Sequence, residues 1–417
     1  MKILIYGINY APELTGIGKY TGEMVAWLAK RGHDIRVVTT PPYYPAWCIA
    51  DGYRNKFSRE ASVNVAIYRC PLYVPPRPNG IKRVAHLASF MATSLPVVLK
   101  QIWWQPDVVW TVEPTFFSAP GALLAACGSG AASWLHVQDF EVDAAFDLGL
   151  LPSKGAIHAL ALALERVFTR SFDRVSSISH NMVQRLLDKG IPAASASLFP
   201  NWVDVNAVES HTPGLNTNSF RRELGLGSKI ILLYSGNMGA KQGLESLAPL
   251  ARAFAHDDGV HFLLCGDGAF RAQLEKLVTG LVNVTMLPLQ PLHRFNDLLN
   301  AADIHLLPQR GGAADLVMPS KLTGILASGR PVIATADSGT QVAYVVGGVN
   351  GAPACGLVIP AENQPALHEA VQRLISDPQM RRKLGASARK YATEHLGKEQ
   401  VLLKFEADLK RLAYHRV

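Results

Sequence analysis

The sequence predicts an α/β fold in which two parallel-sheet domains follow one another along the chain. Residues 2–7 (KILIYG) form a short apolar strand, followed by the glycine-bearing loop 13–18 and a stretch with helical spacing of apolar residues. The same order returns with the apolar strand 229–235 (KIILLYS) and the loop 236–239. Strand and helix patterns alternate through the rest of the chain, which is typical of parallel sheets. A chain of 417 residues can form two or three domains of ~150 residues each.

The elements of the first half follow from its apolar periodicity. Tyr20, Met24, Trp27 and Leu28 share one face of a helix predicted over residues 18–30. Ser179 stands where it can cap a later helix. Further strands are predicted at residues 35–40, 107–111, 133–137 and 175–179.

A polar, turn-rich stretch separates the two halves. Residues 203–228 lose strand character, and we predict an interdomain linker there. The boundaries that follow are a first domain over residues 1–205, a second over 206–395 and a final amphipathic helix within 396–417. The second half contains strands at residues 229–235, 261–266, 284–287, 303–307 and 331–334.

Composition limits the class of protein. Hydrophobic residues make up 48% of the chain, enough to form substantial cores. The five cysteines form no CxxC pair, and the N-terminus passes from Met1 and Lys2 straight into a strand, so we expect a cytosolic protein without a secretory signal. The net charge of +8 suits a phosphorylated substrate or an anionic membrane surface. Because the basic residues are scattered, we expect no nucleic-acid partner.

One segment, residues 81–105, has the composition of a membrane-surface helix. It begins with Lys82 and Arg83, continues with an apolar body of about 16 residues, and ends with Lys100 and the pair Trp103 and Trp104. The body is shorter than the ~20 residues that a spanning helix needs. An interfacial helix at the inner face of the cytoplasmic membrane and an ordinary helix kinked at a proline both remain open.

The first glycine loop does not fit a dinucleotide site. Its spacing is Gly16-x-Gly18, it lies several residues beyond the first strand, and no acidic ribose ligand follows the second strand. A glycine loop at a helix N-terminus can still bind an anion through backbone N–H groups. A simple tight turn is the alternative.

The second half contains a stronger anion-binding pattern. Gly236 and Lys241 lie at a strand-to-helix turn, where Lys241 is expected to open a helix. Ser320 is expected to cap a second helix start, which would leave the amides of Lys321 and Leu322 free. A lysine at each of two helix N-termini suits a diphosphate.

These motifs, in this order, resemble the retaining glycosyltransferases of family 4, whose two-domain architecture is called GT-B. The resemblance covers nearly the whole chain. The matching segments are residues 6–20, 136–143, 199–202, 236–241, 262–268, 302–308 and 319–331.

The resemblance implies two facing Rossmann-like domains with a deep cleft and a final helix that packs back on the first domain. It implies transfer of a sugar from a nucleotide-diphosphate donor with retained configuration, and neither metal nor other cofactor. It places the donor in the second domain, the acceptor in the first, and the base near Gln290. The implied donor-binding residues are Gly16, Gly18, Gly236, Asn237, Lys241, Gly266, Gln290, Asp315, Ser320, Lys321 and Leu322.

The chain departs from the family pattern at two places. Asn237 stands where the family commonly has an arginine. The family's paired glutamates would fall near Leu316 and Gly324, so the glutamate that grips the ribose is missing, and Asp315 is the possible substitute. These departures bear on the donor nucleotide more than on the type of reaction.

The catalytic candidates follow a strand of the first domain. They are His136, Asp139 and Glu141, and the family's sugar-contacting histidine aligns with Gln138 or Asp139. His136 has a structural interpretation as a core histidine. Asp139 has the stronger case, because an acid just beyond a strand end is rarely buried without a partner. No metal-binding motif stands out in the sequence.

The function expected from the resemblance is a step of bacterial surface-polysaccharide assembly. The expected donor is GDP-fucose or another deoxysugar nucleotide, and the expected acceptor is a polyprenyl-diphosphate-linked saccharide at the inner leaflet. A nucleotide-sugar 2-epimerase of the same architecture and a non-catalytic sugar-nucleotide-binding scaffold are the two alternatives.

Overall fold

The structure is a computed structural model. It describes residues 1–14, 16–76, 80–113, 117–140, 156–208, 218–239, 242–311, 319–348 and 352–414. The chain divides into two units. The first comprises Met1–Pro200 with Val401–Val417, and the second comprises Asn201–Gln400.

The first unit is built on an eight-stranded sheet with the order β3-β4-β2-β1-β5-β6-β7-β8. All neighbouring strands run parallel except β3 and β4, which are antiparallel. Because β1 lies between β2 and β5, the strand order reverses there, and ligands of such sheets bind at this point. The strands are β1 (Lys2–Tyr6), β2 (Asp34–Thr39), β3 (Ser58–Ser62), β4 (Val65–Arg69), β5 (Val108–Glu113), β6 (Ala132–Val137), β7 (Arg174–Ser177) and β8 (Ala196–Leu198).

Five helices of the described chain cover this sheet. They are α1 (Gly16–Lys30), α2 (Gly80–Lys100), α3 (Ser118–Ser129), α4 (Ala156–Arg170) and α5 (His180–Asp188). The predicted cap of α5 is confirmed, since the Ser179 side chain accepts a hydrogen bond from the Met182 amide. The segment 81–105 forms α2 with Pro96 inside it, followed by a 3-10 turn over Gln101–Trp104.

Helix α2 buries one face in the first unit. His86, Phe90, Ser94 and Val98 are buried at a spacing of four residues. In the ranges that the structure covers, no helix is long and apolar enough to cross a membrane. The segment is therefore partly a core helix.

The final helix, α14 (Lys398–Tyr414), reaches from the second unit into the first. Its Phe405 ring stacks on Phe199 at 4.2 Å and meets Trp134 edge-on at 5.0 Å. Its buried Glu406 accepts hydrogen bonds from Arg31 at 2.7 Å and His33 at 2.9 Å. Aromatic packing and a buried carboxylate thus anchor this helix in the core of the first unit.

The second unit contains a six-stranded parallel sheet with the order β11-β10-β9-β12-β13-β14. Its strands are β9 (Ile230–Asn237), β10 (Val260–Asp267), β11 (Val284–Leu287), β12 (Ile304–Leu307), β13 (Val332–Thr335) and β14 (Gly356–Ile359). Its helices are α6 (Ser219–Glu223), α7 (Leu247–Ala253), α8 (Arg271–Val278), α9 (Phe295–Ala301), α10 (Lys321–Ala327), α11 (Gln341–Gly347), α12 (Gln364–Ser376) and α13 (Pro378–His395).

The predicted linker over residues 203–228 is partly folded into the second unit. Helix α6 places Arg221 in a buried position, where its guanidinium pairs with Asp303 at 2.5 Å and donates to the carbonyl oxygen of Ala301 at 3.0 Å. These partners lie about eighty residues further along the chain. The polar sequence of this stretch therefore predicted a linker, whereas contacts with residues far along the chain fold part of it into the second unit.

Candidate functional site

The carboxyl ends of β9 and β10 form the edge of the second sheet to which the predicted donor residues belong. The two strands pair Gly236 with Gly266 and Asn237 with Asp267. Gly266 has a φ of +155°, and a Cβ there would collide with the carbonyl oxygen of Gly236. Only glycine permits this close approach of two strand ends.

Lys321 lies against this edge. Its ammonium group donates a hydrogen bond to the Tyr234 hydroxyl at 3.0 Å and lies 4.4 Å from the centre of that ring. The Tyr234 hydroxyl in turn donates to the carbonyl oxygen of Asn237 at 2.5 Å. The chain from Lys321 through Tyr234 to Asn237 fixes the lysine beside the β9 loop.

Burial lowers the pKa of Lys321 to about 7. Among the residues that the structure describes, no carboxylate forms an ion pair with this ammonium group. A cation held out of water without a counter-charge is unfavourable in the unliganded protein. It becomes favourable when an anion binds next to it, so this edge is suited to a phosphate-bearing ligand.

Two expectations about the start of α10 are wrong. Ser320 has helical backbone angles, and its side chain makes no capping hydrogen bond. The Leu322 amide donates to the carbonyl oxygen of Pro319 at 2.9 Å, so it is paired, and the Leu322 side chain is buried in the core. Helix α10 has only seven residues. The positive charge at this point is therefore supplied mainly by the Lys321 side chain.

The neighbouring strand ends are tied together by side chains. Arg271 on α8 donates to the carbonyl oxygens of Gly266 and Leu287, the latter at 2.8 Å. Half-buried Gln290, the predicted neighbour of the base, donates through Nε2 to the carbonyl oxygen of Pro288 at 2.9 Å. Arg271 and Tyr234 could not be recognised from the sequence, because Arg271 bonds to Leu287 at the end of the next strand and Tyr234 bonds to Lys321, 87 residues later.

Three predicted site residues, Lys241, Asp315 and Glu141, lie outside the described residues. The helix start expected at Lys241 therefore also lies outside the described residues. A 3-10 turn spans Leu244–Ser246, and α7 begins at Leu247.

In the first unit, the loop after β1 is organised around the buried carboxylate of Glu13. Its Oε1 accepts from the amides of Tyr43 at 3.2 Å and Tyr44 at 3.1 Å, and its Oε2 accepts from Asn9 at 2.9 Å. Burial raises the pKa of Glu13, and these hydrogen bonds oppose the increase. One side chain thus joins the loops that follow β1 and β2.

The two glycines of this loop have distinct roles. Gly16 has a φ of +58°, which favours glycine at the start of α1. A Cβ on Gly18 would lie 2.5 Å from Oε2 of Glu13 and 2.7 Å from its Cβ. Gly18 therefore leaves room for the Glu13 carboxylate. This is a structural function that the sequence did not reveal.

Fully buried Arg69 holds the same loops from the other side. It pairs with Glu60 at 2.5 Å and donates to the carbonyl oxygens of Thr40 at 2.8 Å and Ala11 at 2.9 Å. A buried cation with this many partners is a structural element of the site.

His136 and Asp139 differ in their surroundings. The His136 ring is buried between Trp110 and Phe199, at centroid distances of 5.8 and 5.0 Å, and its Nδ1 lies 2.9 Å from the Ser176 hydroxyl. Burial lowers the pKa of His136 to about 3, so it is neutral. This geometry favours the structural interpretation of His136. Half-buried Asp139 lies two residues beyond the end of β6.

The described residues contain no group of three or more histidine, cysteine, aspartate or glutamate side chains that could hold a metal ion. The polar groups that the structure brings together are an ammonium at the edge of one sheet, and carboxylates with aromatic side chains at the edge of the other. Such groups can bind a phosphate and a hydroxylated ligand, respectively.

Comparison with known proteins shows the family to which this chain belongs. Residues 15–202 match the glycosyl transferase 4-like domain family, and residues 216–391 match the glycosyl transferases group 1 family. A curated relative, the putative colanic acid biosynthesis glycosyl transferase WcaI of Escherichia coli K12, is 42% identical over 416 residues. The alignment covers 98% of this chain and all of that protein.

Solved structures share the fold at low sequence identity. Sucrose-phosphate synthase from Thermosynechococcus elongatus superposes with a TM-score of 0.72 at 18% identity and covers 99% of this chain and 98% of its own. Anabaena HepE in complex with UDP and glucose superposes with a TM-score of 0.65 at 16% identity and covers 99% and 100%. The predicted GT-B architecture, with two parallel-sheet α/β domains, is confirmed.

Proposed function

This chain belongs to the glycosyltransferase family that includes WcaI, and we propose that it transfers a sugar from a nucleotide-diphosphate donor to a lipid-linked saccharide, with retention of configuration. The step belongs to the assembly of colanic acid or a related exopolysaccharide. The second unit binds the donor, and the first binds the acceptor.

The observation that carries the proposal is the position of Lys321. The residue is half-buried, and its ammonium group is held by Tyr234 and has no carboxylate partner in the described part of the chain. The diphosphate of a nucleotide sugar supplies the missing counter-charge. As the bond to the sugar breaks, negative charge increases on the leaving diphosphate, and a fixed cation stabilises that charge more strongly than water does.

The remaining donor contacts follow from the same edge. The backbone at Gly236 and Asn237 lies beside Lys321, where it can approach the phosphates closely. Gln290, beyond β11, is positioned to border the base. Because Lys321 provides the positive charge, the proposal includes no metal and no other cofactor, and activity should persist in the presence of EDTA.

The donor is GDP-fucose or another deoxysugar nucleotide. Support comes from the likeness to WcaI, whose name refers to colanic acid. The family's ribose-binding glutamate is missing, which bears on the base of the donor. In its place stands Gly324, against which the Phe295 ring packs, since a Cβ there would lie 3.1 Å from the tip of that ring. The nucleotide is therefore best identified by testing several bases.

The acceptor is a polyprenyl-diphosphate-linked saccharide, which the protein reaches from the inner face of the cytoplasmic membrane. The outward face of α2 supports this part of the proposal. Ile81 is 85% exposed and Val84 is 47% exposed, and both flank the basic pair Lys82 and Arg83. Apolar side chains next to cations suit a surface of anionic lipid.

Vesicle co-sedimentation tests the membrane contact. The protein should bind vesicles of phosphatidylethanolamine and phosphatidylglycerol, and the double variant Ile81→Ser/Val84→Ser should bind several-fold less. Leu403→Ser, at an exposed apolar site on α14, is the matched control and should bind like the wild type. Equal binding of all three proteins would refute the membrane contact.

A transfer assay tests the reaction. The protein is incubated with GDP-fucose, UDP-glucose or a dTDP-sugar, with and without a short-chain polyprenyl diphosphate that carries one hexose. A product heavier by one sugar, formed only with acceptor, supports the proposal. An epimerised sugar and free nucleotide without acceptor would indicate the epimerase. Binding without turnover would indicate the scaffold.

The variant Lys321→Met tests the role of this residue in donor binding. The loss of a charge-assisted contact should weaken donor binding by about 10- to 100-fold. Lys276→Met replaces an exposed lysine on α8 of the same unit and should leave donor binding unchanged. Equal donor binding by both variants would contradict the role of Lys321.

A further inference from the structure

An exposed aromatic side chain, Tyr44, lies beside the first glycine loop. Tyr44 is 43% exposed although it belongs to a loop that is otherwise anchored in the first unit. Its ring edge lies 3.9 Å from the position that a Cβ would take on Gly16. The ring therefore extends over the start of α1, at the carboxyl edge of the sheet.

The backbone of Tyr44 is held in place by hydrogen bonds to Glu13. The Glu13 carboxylate accepts from the amides of Tyr43 and Tyr44, and Gly18 leaves the space in which that carboxylate lies. The Tyr43 hydroxyl lies 3.0 Å from Nε2 of His86 on α2. An exposed aromatic ring on a backbone held at two points can bind a ligand without first being ordered.

Groups of opposite charge act on the Tyr44 hydroxyl. Burial, Asp139 and Glu13 raise the pKa of Tyr44, whereas Arg83 lowers it. Arg83 also lies over the ring of Trp47, with its guanidinium 5.8 Å from the ring centre. The Trp47 ring packs against Tyr43, the neighbour of Tyr44, at a centroid distance of 5.7 Å, so the Arg83 guanidinium lies beside the loop that carries the Tyr44 ring.

We propose that Tyr44 and Arg83 form the subsite for the sugar and diphosphate of the acceptor, with Glu13 as the positioning residue of Tyr44. The inference rests on the proposed function for the identity of the acceptor. The C–H groups of a sugar ring pack on the negative face of an aromatic ring. A guanidinium binds phosphate oxygens in pairs.

Binding of the acceptor alone provides the first test. The probe is a short-chain polyprenyl diphosphate carrying one hexose, titrated without donor and followed by saturation-transfer NMR. Tyr44→Ala should weaken binding roughly tenfold or more, and Tyr44→Phe, which keeps the ring, should restore most of it. Tyr414→Ala, which removes an exposed tyrosine on α14, should bind like the wild type. Unchanged binding by Tyr44→Ala would overturn the proposal.

The diphosphate contact has a separate test. Arg83→Gln should weaken binding of the diphosphate-linked probe by about tenfold. The methyl glycoside of the same hexose binds more weakly, and its affinity should not change. Arg59→Gln, which removes another arginine that lies over an aromatic ring, that of Tyr68, is the matched control. An equal loss of affinity for both probes, or no loss for either, would show that Arg83 does not bind the diphosphate.

The role of Glu13 is tested by kinetics. Glu13→Gln keeps an acceptor for the two amides, whereas Glu13→Ala removes it. The alanine variant should raise the KM for the acceptor at unchanged KM for the donor, and the glutamine variant should restore most of the difference. A change in both KM values would show a structural role only. If no donor supports transfer, the proposed function fails, and the binding of the acceptor alone still tests this subsite.

Discussion

Binding of a nucleotide sugar to the second unit should take up a proton. The reason is the state of Lys321 in the unliganded protein, where burial lowers its pKa to about 7. An adjacent diphosphate favours the charged ammonium and raises the pKa again. The bound ligand therefore changes the pKa of one group, the Lys321 ammonium, and this group takes up the proton.

The size of the effect follows from the two protonation states. With a pKa of about 7, Lys321 is about half protonated at pH 7. If the bound diphosphate raises the pKa to about 9, uptake is about 0.1 proton at pH 6, about 0.5 at pH 7 and about 0.8 at pH 8. A group whose pKa is raised on binding favours binding at low pH, so the affinity should fall about tenfold between pH 6 and pH 8.

Calorimetry in buffers with different heats of ionisation measures the number of protons directly. A nucleotide sugar is the right titrant, because both of its phosphate groups stay ionised in this range. Tyr234, the hydrogen-bond partner of Lys321, does not interfere, since burial raises its pKa further above the ordinary value. Lys321→Met should bind more weakly and take up no proton, and Lys276→Met should behave like the wild type.

Two results would refute this account. One is binding of the nucleotide sugar by the wild type without proton uptake at pH 7 and pH 8. The other is equal proton uptake by Lys321→Met and the wild type, which would assign the titration to another group.

Three stability predictions concern the scaffold. Gly18→Ala should lower the free energy of unfolding by about 1–3 kcal/mol, because its Cβ would lie 2.5 Å from a carboxylate oxygen of Glu13. Gly266→Ala should be at least as damaging, because its Cβ would collide with the backbone of β9 at a φ of +155°. Glu406→Gln should cost about 2–4 kcal/mol, whereas Glu394→Gln, in an exposed pair, should cost less than about 0.5 kcal/mol.

Denaturant unfolding at pH 7 measures all three, and the Glu406 effect has a pH dependence of known sign. Burial alone would raise the pKa of Glu406, but hydrogen bonds from Lys410, His33 and Arg31 outweigh burial and lower it to about 2 from 4.5. Its contribution is complete above about pH 4.5 and is lost as the pH falls toward 2. An advantage over Glu406→Gln that grows on acidification would contradict this assignment. Unchanged stability in either glycine variant would show that the surrounding loop or strand can move aside.

The buried strands could be predicted from the sequence because parallel strands are apolar on both faces. The strand at residues 284–287 was predicted at its observed bounds, and the strand starting at residue 229 was found one residue later. The edge strand β3 was missed, since Ser58–Ser62 is mostly exposed and has no apolar alternation. The apolar pattern of the sequence therefore predicts strands that are buried on both faces, but it does not predict a strand at a solvent-exposed edge of the sheet.

The site was predictable only in outline. Glycine loops and Lys321 have local signatures, so the sequence located them correctly at strand and helix ends. Their partners do not. Lys321 bonds to Tyr234, 87 residues earlier, and Glu13 accepts the Tyr44 amide, 31 residues later. Contacts between loops of different strands depend on the sheet order, which a single sequence does not encode locally.

Retaining transfer of a sugar from a nucleotide donor can be observed in a single reaction. The protein is incubated with its best-binding nucleotide sugar and a short-chain polyprenyl diphosphate hexose, and the purified product is examined by mass spectrometry and proton NMR. The account predicts an acceptor heavier by one sugar, joined with the anomeric configuration of the donor. No mass increase, or a product with the inverted configuration, would contradict it.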